Sequence, residues 1–175
     1  GNTARGTYVL RGSSLMDDYA NSVLTEGLVT LGTQASGLLS YIGDSDWLQV
    51  GLSANTTYVI DVKGDITSGA RLDPIADPML IVRDAAGDIV YRVDDSNGSL
   101  DVRAFFTPSG SGAYFLEVRS AFKYDIGVYT IDVALAPADD HADLFDATAT
   151  ALSLGDTTAV QASGDLGLPG DKDVF

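Results

Sequence analysis

Residues 43–62 show the clearest alternation of apolar and polar positions in the chain. Apolar residues recur at every second position on both sides of a short polar connection: Leu48, Val50 and Leu52, then Tyr58, Ile60 and Val62. A period of two places such side chains on one face of a strand. The stretch therefore predicts a β-hairpin whose inward face is buried.

Further short apolar stretches are separated by turn-forming residues. They are residues 7–10, 37–42, 79–82, 89–93, 102–106, 113–118 and 128–133. The 79–82 and 89–93 stretches are predicted to pair as a hairpin, with Gly87 in the left-handed conformation at the turn. Leu24, Leu28 and Leu31 could mark one turn of helix or a loose strand, and this stretch is predicted to be irregular. Short strands with turn signals about every 8–12 residues predict an all-β fold, an antiparallel β-sandwich or barrel.

The character of the chain changes after Pro137. We expect a lead-in segment at 1–16, a β-sandwich domain at 17–136, and a tail at 137–175. The acidic entrance at 43–48 has a counterpart at 170–175, so the tail resembles a linker followed by the start of a second repeat. The alternative is that the tail adds a strand that completes the first domain.

Composition narrows the classes of partner. The chain has 175 residues, 45% of them hydrophobic, and a net charge of −15 from 25 acids and 10 bases. Such a surface repels phosphate backbones, which argues against nucleic acid. Acids grouped in turns indicate a requirement for a hard cation such as Ca²⁺, although turn chemistry and solubility also explain them.

Cysteines are absent, which excludes disulfides and thiolate metal sites. That is compatible with the cytosol and equally with secreted bacterial proteins stabilised by calcium. No apolar run approaches the ~20 residues of a membrane span, so direct membrane insertion is not expected. No signal peptide is present, so an export signal would have to lie outside this sequence.

An ordered series of short motifs resembles the bacterial pre-peptidase C-terminal domain. The series is Gly-Asp-x-Asp-Trp at 43–47, Tyr-x-Ile-x-Val at 58–62, Asp-Pro-x-Leu-x-Val at 77–82, the turns at 84–87 and 94–95, and the strands at 112–118 and 127–133. The resemblance implies a jelly-roll-like sandwich, often calcium-binding, in secreted peptidases and repeat-containing adhesins. A similar module of RTX-type adhesins is a calcium-dependent peptide-binding domain. Leu48 departs from the pattern, because Phe or Tyr is common there.

Two acidic groups are the candidate metal ligands. The resemblance implies that Asp17 and Asp18 fold back over a turn containing Asp44 and Asp46 and share calcium. The second group comes from loops that flank paired strands and is expected to converge at one end of the sandwich: Asp73, Asp77, Asp94, Asp95 and Asp101. The alternative for both groups is that the acids end strands and face solvent.

The remaining candidates concern ligands and catalysis. Lys123, Tyr124 and Asp125 lie in a loop between two late strands and are candidate ligand contacts. Trp47 and three tyrosines are expected to be core residues rather than a ligand platform. A catalytic triad is not expected, because the only histidine, His141, lies in the segment between the modules. Paired carboxylates could hydrolyse glycosides, but 25 acids bring some pairs together by chance.

These observations predict a non-catalytic, calcium-dependent binding module of a large secreted or cell-surface bacterial protein. The expected partner is a peptide or protein, held in one version through its C-terminal carboxylate, with a glycan as the other ligand class. The module is expected to be monomeric within a longer chain. The alternative function is a structural spacer or stability module in a secreted peptidase.

Overall fold

Eight antiparallel β-strands form two sheets in the computed structural model, which describes residues 16–64, 73–96, 98–122 and 125–137. The strands are β1 Ala35–Leu39, β2 Ser45–Leu52, β3 Tyr58–Gly64, β4 Pro78–Arg83, β5 Ile89–Val93, β6 Val102–Phe106, β7 Gly112–Ser120 and β8 Gly127–Leu135. No helix occurs in these ranges, so none there could span a membrane. The all-β sandwich prediction is confirmed. The predicted strand at 7–10, residues 1–15 of the lead-in and residues 138–175 of the tail lie outside the described residues.

The strand order is that of a jelly roll. One sheet runs β1-β8-β3-β6 and the other β2-β7-β4-β5. Strands β1 to β4 pair respectively with β8, β7, β6 and β5, so the chain forms one long hairpin rolled into two layers. Each connection between successive strands therefore lies at one of the two ends of the sandwich.

The predicted β2–β3 hairpin is wrong. β2 pairs with β7, whereas β3 pairs with β6 and β8 in the opposite sheet. The alternation was interpreted correctly for burial, since all six residues of the alternating pattern are buried. Two successive strands show the same period of two whether they pair as a hairpin or lie in facing sheets. In both arrangements alternate side chains point into one core. The β4–β5 hairpin is present as predicted, with Gly87 at φ 90°.

Trp47 is buried but lies outside the space between the sheets. Its side chain is on the outer face of β2, where it packs on Phe115 with ring centroids 6.0 Å apart. The Arg83 guanidinium lies 4.5 Å from the centre of the indole ring and forms a 2.7 Å ion pair with Glu117. Trp47 was correctly predicted to be buried, but it does not belong to the core between the sheets. The three tyrosines (Tyr58, Tyr114 and Tyr129) belong to the central core.

The segment before β1 protects the outer edge of β2. The amide of Val29 donates to the Gln49 carbonyl, and the amide of Gln49 donates to the Gly27 carbonyl. These bonds satisfy an edge that would otherwise be open to another chain. As predicted, residues 24–31 form no helix and contribute only an isolated bridge to β2.

Gly37 provides a test of the packing between β1 and β8. It lies opposite Tyr129, and a Cβ at position 37 would fall 2.2 Å from the tyrosine hydroxyl. We expect Gly37→Ala to destabilise the fold by about 1–3 kcal/mol, the usual cost of overpacking. Gly51→Ala in β2 is the matched control, because a Cβ there meets no described atom within 4 Å. Equal urea midpoints for the two variants would contradict this packing.

Candidate metal centres at one end of the sandwich

The acids singled out in the sequence lie at one end of the sandwich. This end carries the β1–β2, β3–β4, β5–β6 and β7–β8 connections, because strand direction alternates through both sheets. Seven of the nine predicted metal ligands are in or beside these connections. The other two, Asp17 and Asp18, belong to the segment before β1 and reach this end through contacts with Leu38 and Asp46. The other end carries a shorter set of loops, with Asp84 and Asp88 in the β4–β5 turn. We call the first end the acidic end.

Three carboxylates of the first group converge. Asp17, Asp18 and Asp46 each offer an oxygen within 4.8 Å of the others. The Leu38 amide donates to Asp18 at 2.9 Å, which holds the segment ahead of β1 against the end of that strand. Burial raises the pKa of both Asp17 and Asp18, and the neighbouring carboxylates raise it further.

Asp46 is the most unusual residue of this group. Its side chain is 0% exposed, and neither carboxylate oxygen has a hydrogen-bond partner in the described part of the chain. The Tyr129 hydroxyl approaches it but also lacks a partner with acceptable geometry. Burial raises the pKa of Asp46 to about 8, with the charge of Asp18 adding to the shift. Burying an ionised carboxylate without a partner is costly, so this carboxyl is either protonated at neutral pH or neutralised by a cation.

The position of Asp46 could have been read from the sequence. It shares the even-numbered parity of Leu48 and Val50, so the period of two already places it on the inward face of β2. The buried carboxylate is thus a violation of the local pattern. Such violations are expected at functional or strained sites.

Asp44 differs from Asp46 in having hydrogen-bond partners. Its carboxylate accepts hydrogen bonds from the backbone amides of Ser40 and Ser45. Together with Gly43, at φ 84°, these bonds close the β1–β2 turn. Asp44 therefore lies beside the three-acid group, with its oxygens already engaged by the backbone.

The second group also brings three carboxylates together. Asp77, Asp94 and Asp95 each place an oxygen within 4.8 Å of the others. Asp77 is 6% exposed, and one oxygen each of Asp77 and Asp94 is buried with no partner among the described residues. Burial raises the pKa of Asp77, followed by the charges of Asp94 and Asp95. Asp73 and Asp101 lie at the same end but do not join this group.

The predicted ligand loop is only partly described. Lys123 and Tyr124 lie outside the described residues. Asp125 lies at the acidic end, where its Oδ2 accepts a 2.7 Å hydrogen bond from the Ala76 amide. Next to it is a groove of about 160 Å³, lined by Gly43, Asp44, Arg119, Ser120, Ala121, Phe122 and Asp125. Arg119 and Phe122 were not predicted to be site residues. The alternation along β7 places Arg119 on the outer face but does not show which loops lie beside it, and Phe122 follows the end of the strand.

The donors of both groups suit a hard divalent cation. Each group offers three carboxylates, without histidine or cysteine among the described members. Carboxylates and other oxygen ligands favour calcium or magnesium over the softer transition metals. Calcium takes 6–8 oxygens in flexible geometry, so backbone carbonyls or water would complete either site.

Comparisons with known proteins give structural likeness only. No family model matches the chain, and no curated protein matches it. Similar solved structures include the pre-peptidase C-terminal domain of collagenase from Bacillus anthracis, with 19% identity, a TM-score of 0.45, and coverage of 61% of this chain and 92% of that one. Another is Aeromonas hydrophila PliG, a periplasmic inhibitor of g-type lysozyme, with 11% identity, a TM-score of 0.40, and coverage of 61% and 94%.

Proposed function

We propose that this protein is a non-catalytic, calcium-dependent binding module of a secreted or cell-surface bacterial protein, and that it captures peptides or exposed protein segments. One observation carries the calcium requirement: the fully buried carboxylate of Asp46, without a partner in the described chain, facing Asp17 and Asp18. A divalent cation would neutralise three acids that repel one another and would replace the hydration that Asp46 loses on burial.

The first group would act as a structural site. Asp17 and Asp18 belong to the segment ahead of β1, whereas Asp46 belongs to β2. An ion held by all three would tie this segment to the sandwich and so link calcium binding to folding. Weak calcium sites suit exported proteins, because extracellular modules bind calcium at about 10⁻⁴–10⁻³ M.

The second group would act in ligand binding. Its burial is graded, from buried Asp77 through half-buried Asp94 to exposed Asp95, so an ion there would keep one side open to solvent. We propose that an oxygen of the ligand completes its coordination, with Asp101 nearby on the same connection. A strongly acidic protein repels carboxylates, and a bound divalent ion reverses the local field. Calcium would then be needed both for the fold and for the ligand.

The runner-up function is a structural spacer, favoured by the hydrogen bond from Leu38 to Asp18 that braces the first group. If both groups hold their ions in closed coordination, calcium stabilises the fold and nothing binds. Stability measurements alone cannot separate the two functions, so binding must be measured.

The deciding experiment is binding of short dye-labelled peptide pools, with a glycan array in parallel, in calcium and in chelator. We expect peptides to bind in calcium only. Asp95→Ala should abolish binding while leaving most of the fold intact, because Asp95 is exposed. Asp88→Ala is the matched control, an exposed acid at the opposite end, and should bind as the unaltered protein does.

Two results would count against this function. Peptide binding that persists in chelator or in Asp95→Ala would remove the calcium bridge. If neither peptides nor glycans bind under any condition, the spacer function takes its place.

A further inference from the structure

β5 is the least buried strand of the sandwich. None of its residues is buried, whereas every other strand contains at least one buried residue. Ile89 and Val90 are 56% and 47% exposed. Tyr91 and Val93 pack against the core but remain only partly buried, because β5 is the last strand of its sheet. The space between the sheets is therefore incompletely covered at this edge.

The edges formed by β1, β2 and β6 are each covered by groups of the chain itself. The backbone of residues 27–29 pairs with β2, as described above. On β6, the Ser96 hydroxyl accepts a 2.9 Å hydrogen bond from the Arg103 amide and donates a 3.0 Å bond to the Arg103 carbonyl. On β1, the side chains of Asp18 and Tyr19 bond to the backbone of the strand. These contacts use backbone groups that would otherwise be open to another chain.

The β5 edge has no such cover in the described part of the chain. No hydrogen bond there joins β5 to a residue outside β4. Bulges also protect edges, and one interrupts the ladder at Val82 and Arg83. It lies at the start of β5, so Tyr91, Arg92 and Val93 keep a regular register with β4. An edge strand directs alternate amides and carbonyls away from its neighbour, so these residues offer backbone groups to a further strand.

The side chains of β5 define the chemistry of a strand that would fit beside it. Tyr91 and Val93 lie opposite the core residues Val82 and Leu80, so apolar side chains of an added strand would extend the core over them. Arg92 lies between them, exposed on the outer face. It forms no ion pair with a described residue, and an acid directly opposite it would be stabilising. The edge therefore fits an extended segment with an acid between two apolar residues.

β5 leads directly into the second acidic group. Asp94 and Asp95 follow its last residue, and Asp95 is exposed. An ion held there would lie beside the end of an added strand, and backbone carbonyl oxygens are ordinary calcium ligands. The ligand oxygen that completes the coordination can thus come from the main chain of a bound segment, without any free terminus.

We propose that the β5 edge binds an extended internal segment of a partner protein as an additional strand, with apolar side chains over Tyr91 and Val93 and an acid opposite Arg92. Main-chain hydrogen bonds supply the affinity of such an addition, and alternate side chains supply its specificity. This rests on the proposed calcium-dependent capture and specifies its surface and ligand class. A second copy of the chain is a poorer partner, because two molecules with a net charge of −15 repel each other.

The first test uses short dye-labelled peptides with a central Val-Glu-Val, acetylated and amidated so that neither terminus is charged. Binding is measured by fluorescence polarisation in calcium. In a paired strand only alternate amides face the neighbouring strand, and N-methylation removes the donor. We expect N-methylation of one alternate set of residues to weaken binding by about tenfold or more, as lost hydrogen bonds allow, and methylation of the other set to have little effect. Equal binding by the two methylated peptides would overturn strand addition.

The second test exchanges the charge at Arg92. We expect the unaltered protein to bind Val-Glu-Val peptides about threefold or more tightly than Val-Lys-Val peptides, as an exposed cross-strand pair allows. Arg92→Glu should reverse this order. Lys63→Glu is the matched control, because it changes the net charge equally at an exposed position of β3, in the other sheet, and it should keep the original order.

The outcomes separate this inference from the proposed function. If peptides bind in calcium, but Arg92→Glu still prefers Val-Glu-Val or the position of N-methylation has no effect, the β5 assignment is overturned and calcium-dependent capture stands. If neither these peptides nor random pools bind in calcium, both proposals fail. If the wild type sediments as a dimer that Val90→Lys dissociates, the edge pairs with a second copy, and the partner assigned here is wrong.

Discussion

We expect chelation of divalent cations to lower the melting temperature of the protein by about 10 °C. A ligand that binds only the folded state at a hundredfold excess over its Kd stabilises that state by about 2.7 kcal/mol, and each kcal/mol is worth roughly 4 °C in a domain of this size. The physical source is the buried, unpaired Asp46 together with its neighbours Asp17 and Asp18. Scanning calorimetry with calcium and with chelator measures the difference.

The dependence of this effect on pH follows from the raised pKa of Asp46. The folded-state pKa of about 8 exceeds the ordinary value of 3.8. In chelator, the stability contributed by this carboxyl is therefore complete below about pH 3.8 and is lost as the pH rises towards 8. Calcium binds the ionised form, so it should weaken or reverse this trend. Coincident melting curves with and without calcium, and no metal by elemental analysis, would remove the cation from the account.

Leu48→Ala should lower the free energy of unfolding by about 2–5 kcal/mol, the range for truncating a buried leucine. Leu48 is 0% exposed and belongs to the core between the sheets. The neighbouring Gln49→Ala is the matched control, because Gln49 is exposed on the other face of β2 and should change stability by less than about 0.5 kcal/mol. Urea denaturation in saturating calcium measures both. Equal midpoints for the two variants would mean that the inward face of β2 is assigned wrongly.

Burial could be predicted from the sequence more reliably than strand pairing. The period of two in β2 and β3 shows which side chains face the core, so Leu48 and Ile60 were correctly predicted to be buried. Pairing depends on which strand arrives alongside, and β7 lies more than fifty residues beyond β2 in the chain. A local pattern carries no information about that partner.

The same difference between local pattern and tertiary contact applies to the candidate site. In an antiparallel sandwich every second connection between strands lies at the same end. The convergence of the acids at one end could therefore be predicted from the connections that carry them. The contacts of Asp44 could not, because they depend on whether its carboxylate reaches the backbone amides of Ser40 and Ser45. Arg119 and its groove depend on contacts between a strand end and loops distant in sequence.

The most direct test of the calcium requirement is calorimetric titration and melting of the wild type and Asp46→Asn in a buffer above pH 8, where Asp46 of the metal-free wild type is ionised. Asparagine keeps the shape of the side chain and removes its charge. The account predicts that Asp46→Asn melts at least as high as the wild type in chelator, gains little from calcium, and gives little calcium-binding heat at the first group. If Asp46→Asn instead gains as many degrees from calcium as the wild type and binds it equally well, the buried carboxylate is not a calcium ligand.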